Sequence, residues 1–230
     1  MTVRLTNNTY GYKGTARIVG ILYIIGTVAG ILSVPFLKVR NEPDYLAKIA
    51  ENPNSLVVGA ILTLIMGLAL ALIPAFMFPI LKKHNEIFGI GYIIFRGALE
   101  TWSHIIGAVC YLALSSLNAT EAGAGAALNA IADSSVTAFV FGTGALIFYT
   151  ALYKYKLIPR WISGFGIVAI LLHIASGVLV LFELQENFDT SSLIMNLPIA
   201  VQEMIMAVWL IIKGFNCENK IEEGLTYDNK

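Results

Sequence analysis

The stretch GYIIFRGALETWSHIIGAVCYLAL, residues 91–114, decides how the rest of the chain is read. As a helix it has the length and apolarity to cross the roughly 30 Å hydrocarbon core of a bilayer. It also carries Arg96, Glu100 and His104, one every four residues. At about 100° per residue these positions form one slowly drifting stripe on a helix. Facing lipid, such a stripe would cost several kcal/mol per charge, so it must face protein or water. The stretch therefore predicts a bundle of several spans with a polar centre.

The composition agrees. Hydrophobic residues make up 57% of the chain and charged residues 13%, with a mean hydropathy of +0.74. Soluble domains carry roughly 25% charged residues. The formal net charge is zero, which suggests no nucleic-acid partner. Cys110 lies in a span and Cys217 in the C-terminal stretch. Neither has a second ligand at metal spacing, and two cysteines make no disulfide framework.

Working outward, hydropathy predicts six spans at 17–37, 53–81, 87–117, 134–157, 161–182 and 193–213. The expected fold is an all-α, polytopic membrane bundle of six transmembrane helices, one domain over 17–213. Polar tails are expected at 1–16 and 214–230. The first span is longer than a signal-peptide core and lacks a small-residue cleavage site, so it is expected to be retained. Its Gly26-x-x-x-Gly30 spacing permits close approach of a neighbouring helix. Residues 38–52, KVRNEPDYLAKIAEN, are expected to be a solvated surface segment with a short helix over 44–52. Residues 118–133, NATEAGAGAALNAIAD, read as an Ala/Gly-rich linker. Pro74 and Pro79 are expected to kink the second span.

Orientation follows from Lys and Arg. One side would hold Arg4, Lys13, Arg17, Lys82, Lys83, Lys154, Lys156, Arg160, Lys213, Lys220 and Lys230; the other would hold Lys38, Arg40 and Lys48. The positive-inside rule then puts both termini in the cytoplasm.

Helical rise sets depth. Counted from the ends of their spans, Arg96 lies roughly 13 Å in, Glu100 roughly 20 Å, His104 roughly 25 Å, Glu203 roughly 15 Å and His173 roughly 18 Å. Matched depth predicts that Arg96 pairs with Glu203 across the third and sixth spans, with Glu100 as a second partner. Two carboxylates around one guanidinium leave a negative charge over, which calls for a proton on one carboxyl. The bland alternative is interhelical glue, because buried ion pairs also fix packing. His104 and His173 are expected to be hydrogen-bonded inside the bundle and to line the outward approach. No HExxH or closely spaced third ligand accompanies them, and no Gly-rich phosphate loop or haem pattern occurs. Neither a metal nor a cofactor is therefore expected.

Four stretches, RIVGILYIIGTVAGI, FRGALE, YKYKLIPRWISGFG and PIAVQEMIMAVWLIIKGFN, together resemble a bacterial and archaeal membrane-protein family catalogued as domain of unknown function 4386. The resemblance spans about residues 17–216. It implies six helices and a prokaryotic plasma membrane, with Arg96, Glu100 and Glu203 on the family's polar positions. It supplies no activity.

The leading functional reading is a carrier, proton-coupled or for a small molecule, or a sensor using the same pocket. Arg96 would attract an anionic or polar group, and Glu100 and Glu203 would hold the proton or counter-charge. Two alternatives stand beside it: an intramembrane enzyme acting on a lipid or quinone, and an accessory protein without turnover. Membrane lipids are expected partners, and six spans make a small machine for which a homodimer is one option. The shape of a central cavity distinguishes these readings.

Overall fold

The computed structural model describes residues 9–118, 120–132, 136–187 and 189–216, with side chains from residue 12 onward. Long apolar runs become long helices. Helix α1 spans Thr9–Leu37 and is followed by a 3-10 turn at Lys38–Asn41 and a short α2, Tyr45–Glu51. Helix α3, Pro53–His84, starts on a proline at its first position, where no amide donor is needed. It runs through Pro74 and Pro79. Then come α4 (Glu86–Tyr92), a π-helical segment (Ile93–Leu99) and α5 (Glu100–Leu114), which follow one another without a break. Helices α6 (Ala122–Ala132), α7 (Val136–Lys154), α8 (Arg160–Leu181) and α9 (Thr190–Ile212) complete an all-helical fold, with no strand among the described residues.

Among the described residues, five stretches are long and apolar enough to cross a membrane: Tyr12–Asn41, Pro53–His84, Ala122–Lys154, Arg160–Leu181 and Thr190–Ile212. The third of these runs through residues 133–135, outside the described set. The count is one below the expected six. The stretch expected as the third span is the one divided by the π segment.

The rods form a ring. Helix α1 packs on α3 and α9, α3 on α5 and the π segment, α7 on α4, the π segment and α8, and α8 on α9. Gly26 and Gly30 receive Leu70 and Met66 of α3, so their close-approach face is filled within the chain. The outward faces carry exposed Ile18, Ile21, Ile25, Ile61, Ile65, Leu68, Leu171 and Leu172, an apolar perimeter suited to lipid.

The ring has two distinguishable ends. At one, Lys83 contacts Tyr12, His84 stacks on Tyr155, and Asn216 donates to the carbonyls of Leu157 (2.8 Å) and Lys156 (3.1 Å). The start of α1, the α3–α4 and α7–α8 turns and the end of α9 therefore share that end. At the other, Arg40 donates to Asn129 on α6 (2.9 Å) and Asn41 donates to the Asn187 carbonyl.

Three local expectations change. Helix α1 begins at Thr9, and Ala16 is fully buried, so the expected tail overlaps the first helical turns. Arg40, expected to be solvated, is 2% exposed with its guanidinium 4.6 Å from the centre of the Tyr111 ring. The expected linker carries α6, which lies against α5. In the second and third cases an element folds back over the bundle end and covers what a linear reading leaves open, whereas α1 simply begins earlier than its apolar run.

Candidate functional site

The stripe residues meet the ring's axis at mid-depth. Arg96 sits in the π segment, and Glu100 opens α5 one turn later. Arg96 Nη1 donates to Glu100 Oε2 at 3.2 Å and lies 3.1 Å from Oε1. Its Nη2 donates to Glu203 Oε1 on α9 at 3.2 Å. Arg96 and Glu100 are each 2% exposed and Glu203 is 7% exposed. The expected Arg96–Glu203 pairing with Glu100 as second partner is present in the geometry. A buried pair of this kind is costly to break, because either partner left alone is an uncompensated charge.

His104 stands closer to this centre than its depth implied. Its Nε2 is 3.5 Å from Glu100 Oε1. Side chains on a helix lean toward its N-terminus, so a histidine one turn beyond Glu100 reaches back to it. Gly67 on α3 makes room: a Cβ there would lie 2.8 Å from His104 Cβ.

The sequence reading missed several partners. Thr27 of α1 donates to Glu203 Oε2 at 2.8 Å. Phe141 of α7 presents its ring face to Arg96, 4.7 Å from guanidinium carbon to ring centre, and Tyr23 does so at 5.6 Å. Just beyond the cluster, Tyr23 and Tyr92 share a hydroxyl hydrogen bond of 3.0 Å, and Phe148 stacks on Tyr92 at 4.5 Å. Thr27 had no sequence signal, since helical threonines often bond their own backbone. Phe141 was one aromatic among many.

His173 joins a separate polar chain on α8 and α9. Its Nδ1 lies 2.6 Å from Asn196 Oδ1. The Asn196 amide nitrogen donates to Ser176 (3.4 Å) and Ser192 (3.3 Å), so Oδ1 is the acceptor and His173 Nδ1 carries the hydrogen. The buried Nε2 of His173 has no hydrogen-bond partner. Phe141 stands between the two groups, its ring 4.9 Å from that of His173 and edge-on to it.

A cavity of about 390 Å³ joins all five predicted residues. Arg96, Glu100, His104 and Glu203 form its floor, with Thr27 beside them. Its walls run along Gly30, Ser33, Thr63, Phe141, His173 and Ser176 to Arg40 and Asn187 near the end that holds α2 and α6. A second hollow of about 690 Å³ at that end shares Arg40, Val180 and Asn187. The first volume falls at the lower end of the ~300–1,000 Å³ range of small-molecule pockets. The polar floor and hydroxyl-bearing walls mean that water or a ligand fills it.

Chemically, the floor offers carboxylate lone pairs and a guanidinium whose terminal nitrogens are already held. The Arg96 Nε–H is buried without a hydrogen-bond partner and is the guanidinium donor left over. Among the described residues no group of three His, Cys, Asp or Glu side chains is placed to hold a metal ion.

The sequence model of one protein family, described as "Domain of unknown function (DUF4386)", matches residues 18–214. No curated protein and no solved structure matches the chain.

Proposed function

For this chain, which belongs to the DUF4386 family, we propose the role of a multi-pass membrane protein that binds a small polar molecule in its central cavity, as a carrier or as a sensor. The observation that carries the reading is the buried Arg96–Glu100–Glu203 cluster placed as the floor of a cavity, rather than sealed within packed side chains. Interhelical glue needs no cavity. A site for turnover or passage does, and ionisable groups inside membrane helices mark such sites by default.

In this reading Glu86–Leu114 makes a sixth crossing, and both termini lie in the cytoplasm of a prokaryotic cell. Support comes from the unbroken run of α4, the π segment and α5. Further support comes from the basic end, where Lys82, Lys83, Lys154, Lys156, Arg160 and Lys213 gather. The cavity then faces away from the cytoplasm. A π segment at the charged residues fits the same reading, since such segments occur often at functional sites.

Two experiments test it. Val180→Cys, at a half-buried cavity-lining position, in a chain with Cys110 and Cys217 replaced by alanine, is expected to react with a membrane-impermeant thiol reagent added outside intact cells. Reaction only from the cytoplasmic side would reverse the orientation, and no reaction from either side would remove the cavity. A thermal-shift screen of metabolites on purified protein is expected to give hits that Arg96→Gln abolishes. Hits unaffected by that change would place the ligand elsewhere.

A further inference from the structure

The cavity floor carries an unbalanced charge, and the balance points to what it holds. Two carboxylates lie within 3.2 Å of one guanidinium. Along α1, the next cavity-lining guanidinium, Arg40, lies 13 residues beyond Thr27, about 20 Å at helical rise. One negative charge is therefore left over in a buried place, where an uncompensated ion is costly.

Of the elements around the floor, only His104, 3.5 Å from Glu100, offers another group that could carry positive charge, and with a neutral imidazole there the surplus stays on the carboxylates. Helix α1 contributes Thr27 and Tyr23, α3 contributes Thr63, Met66 and Leu70, and α4 contributes Tyr92. From α7 come Phe141 and Tyr149, which are neutral. The groups that can take up a proton are Glu100, His104 and Glu203 at the floor, and His173 on α8 behind Phe141. The neighbours differ in how firmly they are held. Glu100 has Arg96 Nη1 against both oxygens and His104 against one of them. Glu203 has a single guanidinium bond and the Thr27 hydroxyl. Glu203 is the carboxyl with capacity to spare.

We infer that the floor binds a monovalent organic cation, a protonated amine, in exchange for the proton on Glu203. The exchange balances. The Glu203 O–H bond breaks, the proton leaves through the cavity to bulk water, and the ammonium N–H groups donate to the freed carboxylate. With one surplus negative charge, a proton or a cation restores neutrality, and both together overshoot it. The two ligands therefore exclude each other. An anion deepens the imbalance, and a neutral molecule leaves it unchanged. This inference rests on the cavity being a binding site and adds the charge class of its occupant.

The test is titration calorimetry of the full chain in detergent with n-butylammonium, n-butanol and butyrate, matched in shape and different in charge. Each is run at tens of millimolar in two buffers of unequal ionisation enthalpy. Expected is binding of n-butylammonium alone, with release of about one proton per amine. The affinity should weaken about tenfold per pH unit once the site is protonated. Glu203→Gln should abolish both binding and release. Glu203→Asp, which keeps a titratable carboxyl on a shorter stem, should weaken amine binding but keep the release of about one proton per amine, and it stands in if Glu203→Gln fails to fold. Equal binding of n-butanol, or preference for butyrate, overturns the cation inference and leaves the cavity reading intact. Amine binding without proton release overturns the exchange. Absence of n-butylammonium binding overturns the inference, while labelling of Val180→Cys separately decides whether the cavity stands.

Discussion

The same helices build two unlike halves. Toward the basic end, the axis is filled by Tyr23, Met77, Tyr92, Phe148, Tyr149 and Met206, each no more than 1% exposed. Toward the other end, Gly26, Gly30, Ser33, Thr63, Gly107 and Ser176 leave space among larger lining residues such as Met66, Tyr111 and Phe141, and a smaller apolar cluster of Leu46, Ile49, Leu56 and Leu114 packs beside the cavity. The ion cluster lies at the boundary. Small and hydroxyl residues on one side and aromatic residues on the other mean that packing enthalpy comes chiefly from the filled half. The hollow half forgoes that packing. A folded chain gives up contacts on this scale where the space itself is used, and that is the physical basis for placing function there.

The largest expected effect strikes the boundary itself. Arg96→Leu leaves Glu100 and Glu203 buried without their cation, and should cost about 3–5 kcal/mol or prevent folding. Milder variants measure the coupling. Arg96→Gln and Glu203→Gln should each destabilise the protein in thermal unfolding, and the double variant should lose less than their sum. Additive losses would mean the two residues contribute independently, and the boundary would not be a unit.

Next, the halves can be set against each other with one substitution type. Phe148→Ala in the filled half should cost about 3–5 kcal/mol through the cavity it opens. Phe141→Ala enlarges a cavity that already exists and should cost clearly less, while removing the ring between Arg96 and His173. Equal losses in thermal unfolding would show the hollow half to be packed as tightly as the other, which would break the comparison.

How much of this the sequence carries depends on range. Hydropathy marks the helices because a bilayer demands a length, and matched depth marks Arg96 and Glu203 because buried charge demands a partner. The π segment left no trace, because its extra residue per turn alters no composition. Arg40 was misread because its neighbours Lys38, Glu42 and Asp44 look solvated, while its burial depends on Tyr111 and Asn129 from distant parts of the chain. His104 was placed by Cα depth, which ignores the backward lean of helical side chains. Local chemistry could be read from local sequence, whereas contacts brought by folding over the bundle end could not.

The smallest effect tests which end of a helix is looser. Asp189 caps α9 at the hollow end, accepting the Ser192 amide at 2.6 Å and the Ser191 hydroxyl at 3.0 Å. The Ser192 amide holds its carboxyl below the usual carboxylate range. A carboxyl depressed on folding adds stability that is complete above its unfolded value, about 4, and is lost as pH falls through the folded value. Amide exchange in the first turn of α9 should therefore quicken as pH drops below about 4, after correction for intrinsic rates. The last turn, ending at Ile212 beside the filled half, should show no such change. Asp189→Asn keeps a capping oxygen but cannot titrate, and should flatten the dependence. A first turn that stays protected through that range, or a last turn that loosens with it, would mean that α9 opens as one rod and that the division between the halves does not extend to its backbone.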